Sequence, residues 1–208
     1  MIAIMNYGIG NLFSVKNALD YLGYESVITS DKDEILKADK VILPGVGAFE
    51  DAINTFKKYG FDEVLNELIK KNTYVLGICV GMQLLFERSY EYGTHDGLKI
   101  VDGEMVKFDS YVDGKKYPVP HMGWNQIKVT KDNELLKGVD LKDVYFVHSY
   151  HGTKTSCEIA STNYAGIDFP SAVRKGNVFG VQFHPEKSGE VGLQILKNFG
   201  ELWEYIQQ

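Results

Sequence analysis

Over its first eighty residues the chain alternates short, largely apolar runs with longer segments whose apolar residues recur every three or four positions. The short runs are Ile2 to Met5, Ser26 to Thr29, Lys40 to Leu43 and Tyr74 to Ile78. Such runs predict strands, and Ile2 to Met5 has the form of one covered on both faces of a parallel sheet. Between them, Leu12, Val15, Ala18, Leu19 and Leu22 fall at helical spacing, with Asn11 placed to cap the start and Gly23 to stop the end. Asp31 to Ala38 predicts a short polar helix, and Phe61, Val64, Leu65, Leu68 and Ile69 form the apolar stripe of another. Alternating strand and helix predicts an α/β fold in three layers, a mostly parallel central sheet flanked by helices.

After Glu91 the rhythm changes. Extended candidates follow at Glu104 to Phe108, Trp124 to Val129, Val144 to Val147, Cys157 to Ala160, Ser171 to Arg174 and Val178 to Phe183. Turn signals at Asp113-Gly114, Lys137-Gly138 and Lys175-Gly176-Asn177 separate them, which predicts additional antiparallel strands in the C-terminal half. A last helix is predicted from about Glu190 to Ile206, with Val191, Leu193, Ile195, Leu196, Phe199, Leu202 and Trp203 on its apolar face. No internal repeat or linker divides the chain, so residues 1–208 are expected to form a single domain.

Composition narrows what such a domain does. With 208 residues, 44% hydrophobic and 24% charged, the chain suits a compact globular domain. Its net charge of −6, with Lys and Arg dispersed among acidic residues, argues against a nucleic-acid partner. No apolar stretch approaches the ~18 residues of a membrane span, no basic leader precedes a long apolar run, and only Cys79 and Cys157 occur. A cytoplasmic, reduced protein is expected. Gly8 and Gly10 lack the third glycine of a dinucleotide fingerprint, and His95, His121, His148 and His151 do not pair with cysteines at zinc spacing. The expectation is therefore no cofactor and no metal.

Two stretches carry chemistry. In Tyr74-Val75-Leu76-Gly77-Ile78-Cys79-Val80-Gly81, a strand runs into a cysteine with glycine two residues away on each side, followed by an amphipathic segment. This is the pattern of a nucleophile elbow, in which small neighbours let the backbone turn sharply and expose the nucleophile. At a helix N-terminus, unpaired N–H groups favour the thiolate of Cys79. Most cysteines are inert filler, as Cys157 in its short strand is expected to be. The second stretch is Val181-Gln182-Phe183-His184-Pro185-Glu186. Proline is expected to keep the triplet extended, so that Glu186 stands behind His184, accepts its Nδ1–H and leaves Nε2 for a nucleophile. A third turn, Pro44-Gly45-Val46-Gly47, ends a strand with glycines that free backbone N–H groups to face a ligand. In parallel sheets ligands gather at the carboxyl ends of strands, where both Gly47 and Cys79 fall.

Gly77-Ile78-Cys79-Val80-Gly81-Met82-Gln83 together with His184-Pro185-Glu186 resembles the class I (triad) glutamine amidotransferases, whose fold is flavodoxin-like. Asn6-Tyr7-Gly8-Ile9-Gly10-Asn11, Pro44 to Phe49, Pro120-His121-Met122-Gly123-Trp124-Asn125 and Tyr145 to Tyr150 are similar to the glutaminase subunits of imidazole glycerol phosphate synthases, over essentially the whole length. The resemblance implies Cys79 as nucleophile, His184 as general base and acid, and Glu186 as orienting carboxylate. It implies an oxyanion hole from the N–H of Val80 and a backbone N–H at Val46 or Gly47, and a glutamine site including Gln83, Glu91, His148, Ser149 and Tyr150. It places Asn11, Trp124 and Lys187 on a surface facing a synthase. From the residues alone Trp124 reads equally as a core residue.

Ammonia released at neutral pH becomes ammonium, which is not a nucleophile, so a glutaminase of this kind needs an acceptor. The resemblance implies a (β/α)₈-barrel cyclase as heterodimer partner, in histidine biosynthesis. The chain departs from the family's usual pattern at Tyr150-His151 and at Asp96-Gly97-Leu98-Lys99-Ile100. A paralogous subunit delivering ammonia to another synthase, such as one amidating a surface-sugar precursor, is the alternative. A γ-glutamyl hydrolase and an inactive binding subunit are more distant ones.

Overall fold

The computed structural model describes residues 1–202. Nine strands form one mixed sheet: β1 (Ile2–Met5), β2 (Ser26–Thr29), β3 (Lys40–Leu43), β4 (Tyr74–Ile78), β5 (His121–Val129), β6 (Lys142–His148), β7 (Glu158–Tyr164), β8 (Ile167–Lys175) and β9 (Val178–Val181). Their order is β6-β5-β7-β8-β9-β4-β3-β1-β2. The β9-β4-β3-β1-β2 half is parallel, while the pairs from β6 to β9 are antiparallel. Every residue of β1, β3 and β9 is buried, as strands covered on both faces require.

The helices are α1 (Leu12–Tyr21), α2 (Lys32–Lys37), α3 (Phe49–Lys58), α4 (Phe61–Lys70), α5 (Val80–Gln83) and α6 (Gly189–Gly200). Helix α2 begins as its sequence predicts, with Asp31 accepting from the N–H groups of Asp33 and Glu34. Helix α3 was not anticipated, although Phe49, Ala52, Ile53 and Phe56, all buried, stand at helical spacing. The preceding Pro-Gly-Val-Gly turn masked its start. Tyr7, Phe56 and Phe61 then pack edge to face, with centroids 5.5 and 5.7 Å apart for the Tyr7–Phe56 and Phe56–Phe61 pairs. Helix α6 ends at Gly200, earlier than predicted, since Glu201 and Leu202 are not helical; the predicted stretch Trp203 to Ile206 lies outside the described residues.

Asp113 and Gly114, at φ of 50° and 74°, close a small hairpin between Tyr111–Val112 and Lys115–Lys116, the double positive φ of a type I′ turn. A second, four-stranded sheet joins Tyr150–Gly152 and Glu104–Lys107 to the short strands Arg88–Ser89 and His95–Asp96. Among the described residues no helix is long and apolar enough to cross a membrane.

Candidate active site

Two parallel pairings bring the chemistry-bearing residues to one rim of the sheet. Val181 is the register partner of Ile78, and the amide of Cys79 donates to the Val181 carbonyl at 2.8 Å. Cys79 therefore leaves β4 where Gln182 leaves β9, with His184 two residues farther on. Leu43 in β3 pairs with Gly77, which brings the Pro44 to Gly47 segment alongside.

Cys79 occupies φ 54°, ψ −111°, a conformation that L residues adopt only when their surroundings enforce it. Those surroundings are backbone. A Cβ on Gly81 would lie 2.0 Å from the Leu43 carbonyl oxygen, one on Gly77 would lie 2.8 Å from the Gly81 oxygen, and one on Gly45 would lie 2.6 Å from the Gly81 nitrogen. Three chain segments thus touch through their main chains, and the two elbow glycines are there for contact. The expected strand, sharp turn and helix are all present, but α5 has only four residues. A single turn has a weak macrodipole and does little for a charge on the sulfur; the imidazolium of His184 is the stronger influence.

His184 is 2% exposed, and its Nδ1 lies 2.8 Å from Glu186 Oε1. The extended triplet expected from the sequence is not what makes this bond. Only His184 is extended; Pro185–Lys187 form a 3₁₀ turn that folds the Glu186 side chain back onto the ring. The turn is anchored by the amide of His184 donating to the Tyr145 carbonyl and by Ser188 Oγ donating to the His184 carbonyl at 2.6 Å. Burial works against the imidazolium, but hydrogen bonding and charge interaction with Cys79 and Glu186 outweigh it and raise the His184 pKa to about 10. His184 is therefore an imidazolium at neutral pH, held between the Cys79 sulfur and Glu186. The Glu186 side chain is fully buried, and Asn11 Nδ2 donates to its Oε1 at 3.2 Å. Asn11 was expected to cap α1; its side chain is committed to Glu186 and makes no cap bond.

In front of Cys79 and His184 opens a cavity of about 330 Å³, walled by Val46, Gly47, Val80, Gln83, Glu91, Pro120, Val147 and the His148-Ser149-Tyr150 segment. It falls in the size range of small-ligand sites. Val80 opens α5, so its N–H has no partner within the helix. The wall opposite is set by Gly47, at φ 84°, and by Tyr7, whose hydroxyl donates to the Pro44 carbonyl at 2.6 Å. Burial and the nearby Cys79 charge hold that phenol protonated. Glu91 lines the cavity while its Oε2 accepts from the Phe49 amide at 2.7 Å, which ties the 90–94 loop to the start of α3. Gln83 is 4% exposed; its Nε2 is engaged by the Tyr150 carbonyl at 3.3 Å and by Gln182 Oε1 at 3.1 Å, so Oε1 is the atom left for an incoming donor.

His148 also holds that carbonyl, with Nδ1 2.8 Å from Tyr150 O and Nε2 3.0 Å from His121 Nδ1. Burial pushes the His148 pKa down to about 3 and lowers those of His121 and His151, so the cluster is neutral. Among the described residues no group of three His, Cys, Asp or Glu side chains is arranged to hold a metal.

Trp124 is not a core residue: it is 55% exposed, edge to face with Tyr145 at 6.0 Å. Lys187 is exposed next to Glu186. Cys157 is buried away from the cavity, and its Sγ donates to Asp102 Oδ1 at 3.3 Å, so it fastens a loop as well as filling space. Sequence reasoning missed Gln182. Its signal was the position two residues before His184, on the same face of the strand end.

The sequence profile of the family described as "Glutamine amidotransferase class-I" matches residues 3–202. The chain is 52% identical over 205 residues to the "Imidazole glycerol phosphate synthase subunit HisH" of Caldanaerobacter subterraneus subsp. tengcongensis, covering 97% of this chain and 98% of the relative. It is 47% identical over 203 residues to the like-named protein of Carboxydothermus hydrogenoformans, covering 97% and 100%. Among solved structures, a glutamine amidotransferase superposes with a TM-score of 0.72 at 18% identity, covering 96% of this chain and 98% of the other. The structure of PurLQS from Thermotoga maritima also gives 0.72, at 17% identity over 95% and 96%. These last two likenesses concern the fold.

Proposed function

The chain belongs to the class-I glutamine amidotransferases, and from that premise we propose that it is the glutaminase subunit of an imidazole glycerol phosphate synthase. It hydrolyses L-glutamine to glutamate and ammonia and passes the ammonia to a partner subunit in histidine biosynthesis. The observation that carries this reading is His184 set between Cys79 and the buried Glu186, facing a cavity of small-ligand size.

In the proposed mechanism the Cys79 thiolate attacks the side-chain amide carbon of glutamine. Backbone N–H groups of Val80 and of Val46 or Gly47 take the charge that develops on oxygen, and each such donor contributes about 3 kcal/mol to the barrier reduction. The imidazolium of His184 protonates the departing nitrogen, ammonia leaves, and a γ-glutamyl thioester remains on Cys79. Neutral His184 then takes a proton from water, which attacks the thioester and releases glutamate and the thiolate. Glu186 holds the ring in one orientation and stabilises its charged form throughout. In this reading Gln83 Oε1 and Glu91 receive the substrate ammonium group, with His148, Ser149 and Tyr150 as the facing wall.

The partner we propose is a (β/α)₈-barrel cyclase, docked over the rim that carries Asn11, Trp124 and Lys187, with residues 1–208 acting as one amidotransferase domain in the cytoplasm. An exposed tryptophan is the type of side chain that anchors an interface. The test is glutamate release from L-glutamine by the wild-type chain and by Cys79→Ala, each alone and with such a cyclase. Turnover is expected to need Cys79 and to rise when the cyclase is added. Full turnover by Cys79→Ala refutes the triad; undiminished turnover by the isolated wild-type chain, with no response to the cyclase, refutes the coupling.

A further inference from the structure

Behind Cys79 lies a chain of buried amides that the triad does not account for. Gln182 is 0% exposed, its backbone amide is fixed to the Ser171 carbonyl at 2.9 Å, and its Nε2 points at Cys79 Sγ, 3.8 Å away. Which end of a carboxamide faces a neighbour follows from the neighbours. The Tyr150 carbonyl can only accept, so the group on Gln83 that faces it is the NH₂. The same Nε2 of Gln83 donates to Gln182, so the Gln182 atom facing Gln83 is the oxygen. The remaining end of Gln182, directed at the sulfur, is therefore an N–H donor. The Tyr150 carbonyl that starts the sequence is itself held by His148 Nδ1.

We propose that Gln182 is a catalytic residue of this site, donating a hydrogen bond to the Cys79 thiolate in a direction locked by Gln83. This rests on the glutaminase reading and adds to it a second donor to the sulfur besides His184. A thiolate in a buried setting needs partners for its charge. Among the described residues His184 and this amide are partners of the sulfur, while Tyr7, the other titratable group that feels the sulfur charge, has its proton committed to Pro44. Glu91 and His148 line the cavity beyond, and neither supplies an N–H to the sulfur. The donor is worth most while sulfur carries charge, in the resting enzyme and again as the thioester breaks down, and least in the neutral thioester.

The test reads the sulfur directly. Alkylation of Cys79 by iodoacetamide, quantified at that residue by peptide mass spectrometry across pH 5 to 10, follows the thiolate whatever the natural substrate, so its outcome is independent of whether glutamine is hydrolysed. Gln182→Met preserves length and removes the donor; Gln182→Glu preserves the bond accepted from Gln83 and presents oxygen to the sulfur. In folded Gln182→Met, alkylation at pH 7 is expected to fall about tenfold and its pH midpoint to rise, with Gln182→Glu lower still; kcat for glutamine should drop about tenfold while KM changes less than threefold. If Gln182→Met does not fold, Gln182→Glu alone decides the matter. A folded variant of either kind whose alkylation profile superimposes on the wild type overturns the proposal, since a packing role predicts that result.

Discussion

The neutral histidine cluster makes a quantitative claim about stability in mild acid. His148 is 5% exposed, between the Tyr150 carbonyl and His121, with Phe108, Phe146 and Phe169 around it. Burial, opposed by the bond to Tyr150 O and helped by the nearby His121, His151 and His184, lowers its pKa to about 3. The unfolded chain takes up that proton near pH 6.5 and the folded one does not, so stability is lost as pH falls below 6.5 and continues to be lost until the folded value is reached. From pH 6.5 to 5.0 the protonation free energy of an ordinary histidine grows by about 1.6 kcal/mol, using ~1.4 kcal/mol per pH unit. His184 has the opposite sign: raised to about 10, it stabilises fully below 6.5 and loses that contribution as pH climbs toward 10, so it adds little slope to this window. The perturbation is His148→Asn, whose Nδ2 replaces the Nδ1 donor to Tyr150. The assay is urea unfolding at pH 6.5 and 5.0 for both proteins, reading the difference between the two pH values so that the variant's own cost cancels. The wild type should lose about 1.6 kcal/mol more than the variant; equal losses would refute the claim that His148 is buried neutral.

Glu186→Gln keeps an acceptor within reach of His184 Nδ1 but removes the anion, so kcat for glutamine should fall about ten- to a hundredfold with KM nearly constant, measured by steady-state kinetics. Gly81→Ala places a methyl 2.0 Å from the Leu43 carbonyl oxygen, where main chain has no rotamer to yield; a loss of about 3 kcal/mol or more in thermal unfolding is expected, with glutaminase activity abolished in whatever folds. Asp102 accepts from the Ser156 amide and hydroxyl, the Thr155 hydroxyl and Cys157 Sγ, and these bonds lower its pKa. Being exposed, it should cost under about 1 kcal/mol on change to Asn at pH 7, a difference present above pH ~4 and shrinking as pH falls toward the depressed folded value.

The parallel half of the sheet was legible because each strand is a short, largely apolar run with no competing period. β1, β2, β3 and β4 appear at the expected residues. The antiparallel half was legible in kind but not in extent: β5 begins at His121 and β7 runs to Tyr164, since one exposed face makes strand ends look like loop. The pairs Arg88–Ser89 and His95–Asp96 have no side-chain pattern to read, being two residues each. At the site, Cys79, His184 and Glu186 were found by chemistry at the ends of strands, yet the geometry joining the last two was misjudged. Proline restricts the residue before it, and so His184 is extended; it does not restrict the residue after it, and a 3₁₀ turn brings Glu186 round. The second assignment of Asn11, from helix cap to partner of a carboxylate 175 residues away, depends on a tertiary contact that no local signal encodes.

The two halves of the sheet divide the labour at the site. Cys79, the donors beside it, Gln182 and His184 are all positioned by backbone: the Leu43–Gly77 and Val181–Ile78 pairings, and the glycine contacts of Gly45, Gly77 and Gly81. A slip of one residue in the Val181–Ile78 pairing would turn the side chains of one strand to the opposite face relative to the other and part Cys79 from Gln182 and His184. The wall of the cavity facing them is held differently. His148 ends β6 in the central sheet, opposite His121, while Tyr150 comes from the four-stranded sheet and Glu91 from the loop after Ser89; these last two are tied in by side-chain bonds, Tyr150 to Gln83 and His148, and Glu91 to the Phe49 amide. Breaking one such bond moves a wall and leaves the elbow intact. Substitutions in the wall should therefore act first on KM for glutamine, and substitutions at the glycine contacts on folding and turnover together.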